Sequence, residues 1–176
     1  VSAPVVFVGY GIDAPELGET DYAGVDVRGK VVLLFSGAPA SFPNDQRAHH
    51  SSRRLKAELA ERHGAIGVLT IRDRSDEKRV PWERVVTYAH RPRTAWKGAN
   101  GEVQDAFPGL ALFAALSRPG AGKLFAGSGV DLEALLDAAE KRESRSRVLP
   151  IRVDASCDNA LREVERPNVV GVLPGS

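Results

Sequence analysis

Cysteine is almost absent from the sequence, and methionine and long apolar runs are missing altogether. Cys157 is the only cysteine, which excludes a disulfide within the chain and a zinc site built from cysteines. The longest apolar run, 109–116, is far shorter than the roughly 20 residues of a membrane-spanning helix, so we expect no membrane partner. Because not even position 1 is methionine, we expect a chain processed or excised from a longer protein, in which any targeting signal precedes Val1.

Excess charge of one sign is lacking as well. The chain holds 24 Lys and Arg against 23 Asp and Glu, for a formal net charge of +1. That balance provides no overall attraction to nucleic acid or to anionic lipid. What is present is ordinary: the 176 residues are 43% hydrophobic and 27% charged, which suits one soluble domain with its own core.

Apolar runs and helix signals divide the chain into predicted elements. Five apolar runs, most of them with β-branched residues, have the length of strands, at 4–9, 30–35, 65–71, 110–116 and 148–155. Helical patterns occupy 52–63, 81–89, 117–126 and 131–141. We predict loops over 11–29, 36–50 and most of 72–109, a strand that resumes at 161–164, and a last strand over 168–173.

The predicted helix at 52–63 connects two of these strands. A serine at 51 or 52 can cap its first turn, and Gly64 can end it. We assign Leu59 and Ala60 to its apolar face and Lys56 to its solvated face. Strand, helix, glycine and strand form one βαβ unit with a parallel pair. The sequence therefore predicts a mixed α/β domain that is rich in β.

A strand followed by Gly9-Tyr10-Gly11-Ile12-Asp13-Ala14 matches the G-x-G-x-x-A pattern of dinucleotide-binding loops. That pattern binds pyrophosphate only when a helix follows at once, since the helix N-terminus holds the phosphates. Here Pro15 comes next, and no amphipathic helix precedes the following strand. We therefore predict a glycine turn with positive φ and not a nucleotide site.

Patterns of known catalytic sites are also missing. No H-x-D or H-E-x-x-H spacing, which zinc sites use, involves any of the four histidines: His49, His50, His63 and His90. The G-x-S-x-G elbow of serine hydrolases does not occur. We therefore predict no catalytic residue, no metal site and no cofactor in this chain.

The segment 79–97, called here the basic segment, combines positive charge with aromatic rings. It holds five Lys and Arg, one acidic residue and three aromatic residues: Arg79, Arg84, Arg91, Arg93 and Lys97; Glu83; Trp82, Tyr88 and Trp96. Basic and stacking side chains together can bind an acidic peptide or single-stranded nucleic acid. The other interpretation, which we favour, is a solvated surface loop whose Trp rings anchor it to the core.

Several stretches together resemble an accessory domain of peptidases. They are 6–12, 14–18, 21–24, the D-V-x-G-K-V-V strand entry at 26–32, 47–52 with the helix after it, and 64–68. In addition, 166–176 resembles the N-V-V-x-V-x-P-G strand that begins the catalytic domain of bacterial zinc aminopeptidases. On these residues the chain resembles the protease-associated (PA) domain of a bacterial zinc aminopeptidase related to glutamate carboxypeptidase and the transferrin receptor.

This resemblance implies a PA-like β-sandwich or open barrel with a mixed sheet over 1–166, and the start of a catalytic domain over 167–176. It implies that the parent protein binds two zinc ions and hydrolyses peptides, whereas this chain is not an enzyme, since the first ligand motif of the family follows the last strand. The 168–173 strand, severed from its sheet, would expose an apolar edge, so we expect any dimer to form through it.

The implied function is to shape substrate access or to mediate protein interactions, with the catalytic domain and a peptide or protein substrate as partners. In relatives the loop after the 30–35 strand can approach the active-site cleft, which makes Arg47, His49 and His50 candidate binding residues. The alternative is a free-standing module that binds peptide, polysaccharide or single-stranded nucleic acid through Trp82, Arg84 and Trp96. The parent is expected to be secreted, periplasmic or attached to the cell envelope.

Overall fold

The computed structural model describes residues 1–91, 94–104, 106–143, 146–156, 158, 160, 162–165, 167 and 169–173. Cys157 and Arg93 lie outside the described residues. Within them the strands are Ser2–Phe7 (β1), Asp13–Ala14 (β2), Glu19–Thr20 (β3), Val31–Phe35 (β4), Gly67–Ile71 (β5), Leu112–Leu116 (β6) and Arg147–Asp154 (β7). The α-helices are Asn44–His50 (α1), Arg53–Arg62 (α2), Arg74–Arg79 (α3), Trp82–Ala89 (α4), Arg118–Phe125 (α5) and Leu132–Glu140 (α6).

Five of these strands form one mixed sheet in the order β6-β5-β4-β1-β7. Val31 of β4 lies opposite Val5 of β1 and Gly67 of β5, and these strands and β6 are parallel. β7 pairs with β1 in the antiparallel direction, and β2 and β3 form a small separate pair. The predicted mixed α/β fold class and the parallel β4–α2–β5 unit are therefore confirmed. A second parallel connection, from β5 through α3 and α4 to β6, was not predicted.

Helices cover both faces of the sheet. Every residue of β4 is buried, as expected of a continuous apolar run in a parallel sheet. Leu33 packs in the cluster that contains Phe125 of α5 and Leu136 of α6. Its neighbour Val32 packs in a second cluster with Leu59 of α2. Successive side chains of one strand point to opposite faces, so β4 contributes to two separate cores.

The predicted helix starts are confirmed by their caps. The side-chain oxygens of Ser52, Ser117 and Asp131 each accept a hydrogen bond from a backbone N–H in the first turn of α2, α5 and α6. Gly64 follows α2 with a φ of +84°, the left-handed conformation that ends a helix at little cost in glycine. No helix in the described part of the chain is long and apolar enough to cross a membrane.

Two helices occur where the sequence predicted loops, and both are short and polar. α1 lies within 36–50, where Asp45 in its first turn and basic side chains in its last turn suit the helix dipole. α3 begins after Asp73, whose side chain accepts a hydrogen bond of 2.6 Å from the backbone N–H of Asp76. Neither helix has the apolar repeat from which a helix is normally recognised, so the prediction of loops was wrong there.

The predicted strand over 168–173 does not form among its described residues. Residues 169–173 have no regular secondary structure, and the exposed fractions of Val169, Val170, Val172 and Leu173 are 84–97%. The strand predicted to resume at 161–164 is likewise absent from 162–164. A strand requires a neighbour to accept and donate its ladder hydrogen bonds, and no described strand lies beside these residues.

The G-x-G-x-x-A stretch forms the predicted glycine turn. Gly9 and Gly11 have φ values of +52° and +66°, and a Cβ at position 11 would lie 2.8 Å from Leu34 Cδ2. The chain continues into the short 3-10 helix Pro15–Leu17 and no α-helix. The geometry that pyrophosphate binding requires is therefore absent from this turn.

Gly37, two residues after β4, allows the chain to pass close to the side chain of Asp73. Its φ is +75°, and a Cβ there would lie 2.2 Å from Oδ2 of Asp73. We expect Gly37→Ala to lower the free energy of unfolding by about 2–3 kcal/mol, from backbone strain and loss of the Asp73 cap. Gly24→Ala is the matched control, since Gly24 has a φ of +73° with no heavy atom within 4 Å. Urea unfolding of both variants tests this, and equal losses would contradict it.

Candidate interaction surface

The three candidate residues that follow β4 all lie on α1, but they do not share one environment. Arg47 and His49 are exposed, and Nη2 of Arg47 donates a hydrogen bond of 3.0 Å to Oδ1 of Asn44. His50 is buried, with 7% of its surface exposed, and its ring centroid lies 5.7 Å from that of Phe42. Burial, reinforced by the charge of His49, lowers the pKa of His50. A ligand at this surface therefore meets Arg47 and His49, whereas His50 is part of the core.

α4, in the basic segment, is an amphipathic helix whose apolar side is largely uncovered. Trp82, Val85, Val86 and Ala89 follow the i, i+3, i+4, i+7 spacing of one helix face. No residue of α4 is buried, and 37% of Val86 is exposed while Trp82 is half-buried. An amphipathic helix normally covers its apolar face with the core of its own domain. Here much of that face remains open to solvent.

The second tryptophan of the basic segment is presented by a tight hairpin. The backbone N–H of Gln104 donates to the carbonyl of Trp96 at 2.9 Å, Lys97 and Val103 form an antiparallel bridge, and Gly101 has a φ of +81° in the turn. In this setting 66% of Trp96 is exposed. The interpretation that both Trp rings anchor the segment to the core is therefore wrong for Trp96.

Positive charges in the basic segment differ in how far they are already paired. Arg79 forms an ion pair of 2.7 Å with Asp76, and Lys97 pairs with Glu163. The guanidinium of Arg91 lies 5.1 Å from the ring centroid of Tyr88, a cation–π contact. Arg84 is exposed and pairs with no carboxylate among the described residues.

The two groups of candidate residues are not brought together. α1 follows β4 and the basic segment follows β5, so both start at the carboxyl ends of neighbouring parallel strands. No hydrogen bond, ion pair or ring contact joins Arg47 or His49 to Trp82, Arg84 or Trp96 in the part of the chain that the structure describes. We therefore treat them as two separate surfaces.

An ion-pair network attaches α3, which leads into the basic segment, to α6. Arg74 of α3 contacts three carboxylates, which lie on α6 at 2.6–3.0 Å: Asp137, Glu140 and Glu133. Arg118 of α5 also pairs with Glu133. Single exposed ion pairs contribute little to stability. Here three carboxylates bind one guanidinium, and together they restrain the position of the Arg74 side chain. α3 is thus held in place while α4, which follows it, is mostly uncovered.

Sequence reasoning missed a buried charged group at the same end of the sheet. Lys56 of α2 has 3% of its surface exposed, and its Nζ donates a hydrogen bond to the carbonyl of Tyr10. Asp21 accepts hydrogen bonds from the backbone N–H groups of Tyr10 and Ile12 at 3.0 and 2.9 Å. Burial lowers the pKa of Lys56 to about 7 and raises that of Asp21 to about 6. These groups hold the glycine turn in place and lie too deep to contact a ligand.

The signal for Lys56 was present in the sequence. It precedes Leu59 and Ala60 by three and four residues, which places it on the apolar face of α2. Its charge led to its assignment to the solvated face, which was wrong. A long side chain can lie along an apolar face and place its ammonium beside a backbone carbonyl.

No group of three or more His, Cys, Asp or Glu side chains within the described ranges is arranged to hold a metal ion.

Comparison with known proteins gave one positive result. The family model of the PA domain matches residues 1–109, which include β1 to β5, α1 to α4 and the whole basic segment. No curated protein and no solved structure matched the chain significantly. The match covers more than half of the 176 residues, and the chain therefore belongs to the PA domain family.

Proposed function

We propose that this PA domain is a non-catalytic accessory domain of a zinc-dependent aminopeptidase, where it shapes substrate access or mediates protein interactions. PA domains are typically non-catalytic and occur in peptidases. The observation that carries the interaction role is the open apolar side of α4 together with the exposed ring of Trp96. Exposed apolar and aromatic surface flanked by cations is characteristic of a binding surface.

The path of the chain through the sheet supports attachment to a larger protein. β1 and β7 are antiparallel neighbours, with Ser2 opposite Asp154. The main-chain nitrogen of Val1 donates a hydrogen bond of 2.7 Å to the carbonyl of Ala155. The chain thus enters and leaves the sheet at one place, which is the geometry in which a domain is readily inserted into another.

The zinc aminopeptidase parent is proposed from the resemblance of 166–176 to a first catalytic strand. The exposure of Val169, Val170, Val172 and Leu173 supports it, since a strand of the catalytic sheet would be covered there by its neighbours. The two zinc ions would bind the catalytic domain. The described residues of this chain do not present a set of zinc ligands, so no chemical step is assigned to them. A secreted, periplasmic or envelope-attached location belongs to the same proposal.

The coding sequence downstream of Ser176 and a hydrolysis assay test this proposal. We expect an H-x-D motif within about two dozen residues, followed by further acidic and histidine ligands. We also expect the parent to release an amino-terminal residue from an aminoacyl anilide in a reaction that a chelator stops. The isolated 176-residue chain with added zinc is expected not to exceed the buffer rate.

Hydrolysis by the isolated chain that survives repurification would contradict its non-catalytic role. A stop codon directly after Ser176 would contradict the parent and favour the free-standing binding module. That second function rests on the same exposed Trp96 and on Arg84, which has no carboxylate partner among the described residues.

A further inference from the structure

We infer that the exposed side of α4 binds an acidic segment of a polypeptide substrate. This inference rests on the proposed function, since it adds to the interaction role of the domain a second side of α4 and a ligand of defined chemistry. Three residues carry it: Arg84, Tyr88 and Arg91 follow one another at i, i+4 and i+7. The helical hydrogen bonding continues past α4, because the N–H of His90 donates to the carbonyl of Val86 and that of Arg91 to the carbonyl of Tyr88. The three side chains therefore line one side of the helix.

This side combines cations with an exposed ring. Arg84 is exposed without a carboxylate partner in the described chain, 54% of Tyr88 is exposed, and Arg91 lies over the Tyr88 ring. Val85, three residues before Tyr88, is half-buried and provides apolar surface next to the Tyr88 ring. Two guanidinium groups about 10 Å apart along the helix axis, at 1.5 Å per residue, offer bidentate hydrogen bonds to two carboxylates.

The distribution of charge favours an acidic ligand. The basic segment holds five Lys and Arg against one Glu, a net charge of +4, whereas the whole chain carries +1. The rest of the chain therefore has a net charge of −3. A positively charged segment in a chain that is otherwise negative attracts acidic ligands to the segment itself and not to the whole surface.

A peptide fits this surface better than nucleic acid does. Single strands bind through many free cations along a backbone path and through rings on which bases stack. Here Arg79 and Lys97 are paired with Asp76 and Glu163, and Arg91 already stacks on Tyr88. Among the described cations of the segment, Arg84 and Arg91 remain for an anionic ligand, which suits the few carboxylates of a peptide better than a continuous phosphate backbone.

Tryptophan fluorescence of the 176-residue chain tests the inference directly, since both Trp residues lie in the basic segment. The probe is a twelve-residue peptide with Glu at every third position and Gly and Leu between. The comparison ligands are the same peptide with Lys in place of Glu and a twelve-nucleotide oligothymidylate. We expect the acidic peptide to bind with a dissociation constant on the order of 100 μM. The Lys peptide is expected to bind at least tenfold more weakly.

Two charge reversals provide the matched comparison. Arg84→Glu is expected to raise the dissociation constant at least tenfold. The substitution removes a guanidinium that donates hydrogen bonds to the carboxylates of the peptide and introduces a negative charge that repels them. Arg152→Glu makes the same change at an exposed position of β7, and its dissociation constant is expected to stay within twofold of the wild-type value. Both residues are exposed, and circular dichroism and thermal unfolding verify that both variants fold.

Equal binding of the acidic and Lys peptides, no effect of Arg84→Glu, or tighter binding of the oligonucleotide would each overturn the inference. The result is independent of the zinc assay. A parent that hydrolyses peptides while its PA domain ignores the acidic probe refutes only this inference. Binding of the probe beside a parent without zinc-dependent hydrolysis refutes only the proposed function.

Discussion

A chain ended at residue 109 is expected not to fold, although it contains every residue of the PA match. It lacks β6 and β7, which are two strands of the five-stranded sheet. It also lacks α5 and α6, which cover the sheet face of Phe7 and Leu33. Leaving apolar surface exposed forfeits about 25 cal/mol for each Å², and the net stability of a domain is only about 5–15 kcal/mol. The loss of this cover is therefore expected to exceed the total stability.

Far-UV circular dichroism and urea unfolding of the chains 1–109 and 1–156 measure this effect. We expect one cooperative transition for 1–156 and none for 1–109. A cooperative transition for 1–109 would contradict the prediction and would make 110–156 an addition to a domain that is stable without it.

A single substitution in α6 measures how much the packing of this helix against the sheet stabilises the domain. Leu136 of α6 is fully buried in the cluster that contains Phe7 and Leu33, and Leu136→Ala in the full chain is expected to lower the free energy of unfolding by about 2–5 kcal/mol. Leu173→Ala is the control, because 95% of Leu173 is exposed and its truncation creates no cavity. Similar losses at both positions would mean that α6 does not stabilise the sheet.

The free energy of unfolding is expected to rise by about 2–3 kcal/mol as the pH is raised from 7 to 9.5, because of Lys56. Burial lowers the pKa of Lys56 in the folded chain from 10.5 to about 7, against the attraction of Asp21. Between these two values the unfolded chain binds a proton that the folded chain does not bind. Raising the pH therefore favours the folded state, and stability is lost as the pH falls through 7.

Asp21 produces the opposite trend at lower pH. Burial raises its pKa to about 6 in the folded chain, although the N–H of Ile12 opposes this. Between about 4 and 6 the folded chain binds the extra proton, so its contribution to stability is lost as the pH rises through this window. Taken together, the contributions of these two groups to stability are smallest near neutral pH. Below it Asp21 contributes, and above it Lys56 contributes.

Urea unfolding at a series of pH values, with Lys56→Met as the comparison, tests the assignment to Lys56. Methionine keeps a similar length and apolar stem and removes the ammonium group, so we expect the increase between pH 7 and 9.5 to disappear. Lys123 is exposed, and Lys123→Met is expected to leave the pH profile unchanged. Parallel profiles for the wild-type chain and Lys56→Met would show that another group causes the dependence.

Features that depend on neighbours along the chain were predictable. The apolar run Val31–Phe35, the caps Ser52 and Asp131 and the stop at Gly64 each act within one turn or strand, so their residues specify them directly. The family resemblance was likewise carried by local stretches and is confirmed over 1–109. The parent enzyme, its zinc ions and its substrate remain proposals.

The exposure of the candidate residues could not be predicted from their neighbours in the sequence. Arg47, His49 and His50 are near neighbours in sequence, yet the turn of α1 exposes two of them and buries the third against Phe42. Trp96 was expected to anchor the basic segment, but the hairpin at 96–104 presents it to solvent. Side-chain exposure depends on which surfaces the rest of the chain covers, and residue type does not reveal this.

By itself, then, the sequence determined the strands of the sheet, most of its helices and the family to which the chain belongs, because hydrophobic pattern and capping are local properties. Only the tertiary structure decided that β7 pairs with β1, that His50 is buried, and that α4 keeps an open apolar side. These features depend on contacts between distant parts of the chain. Their free energy comes from which surfaces meet, and a single stretch of sequence does not contain that information.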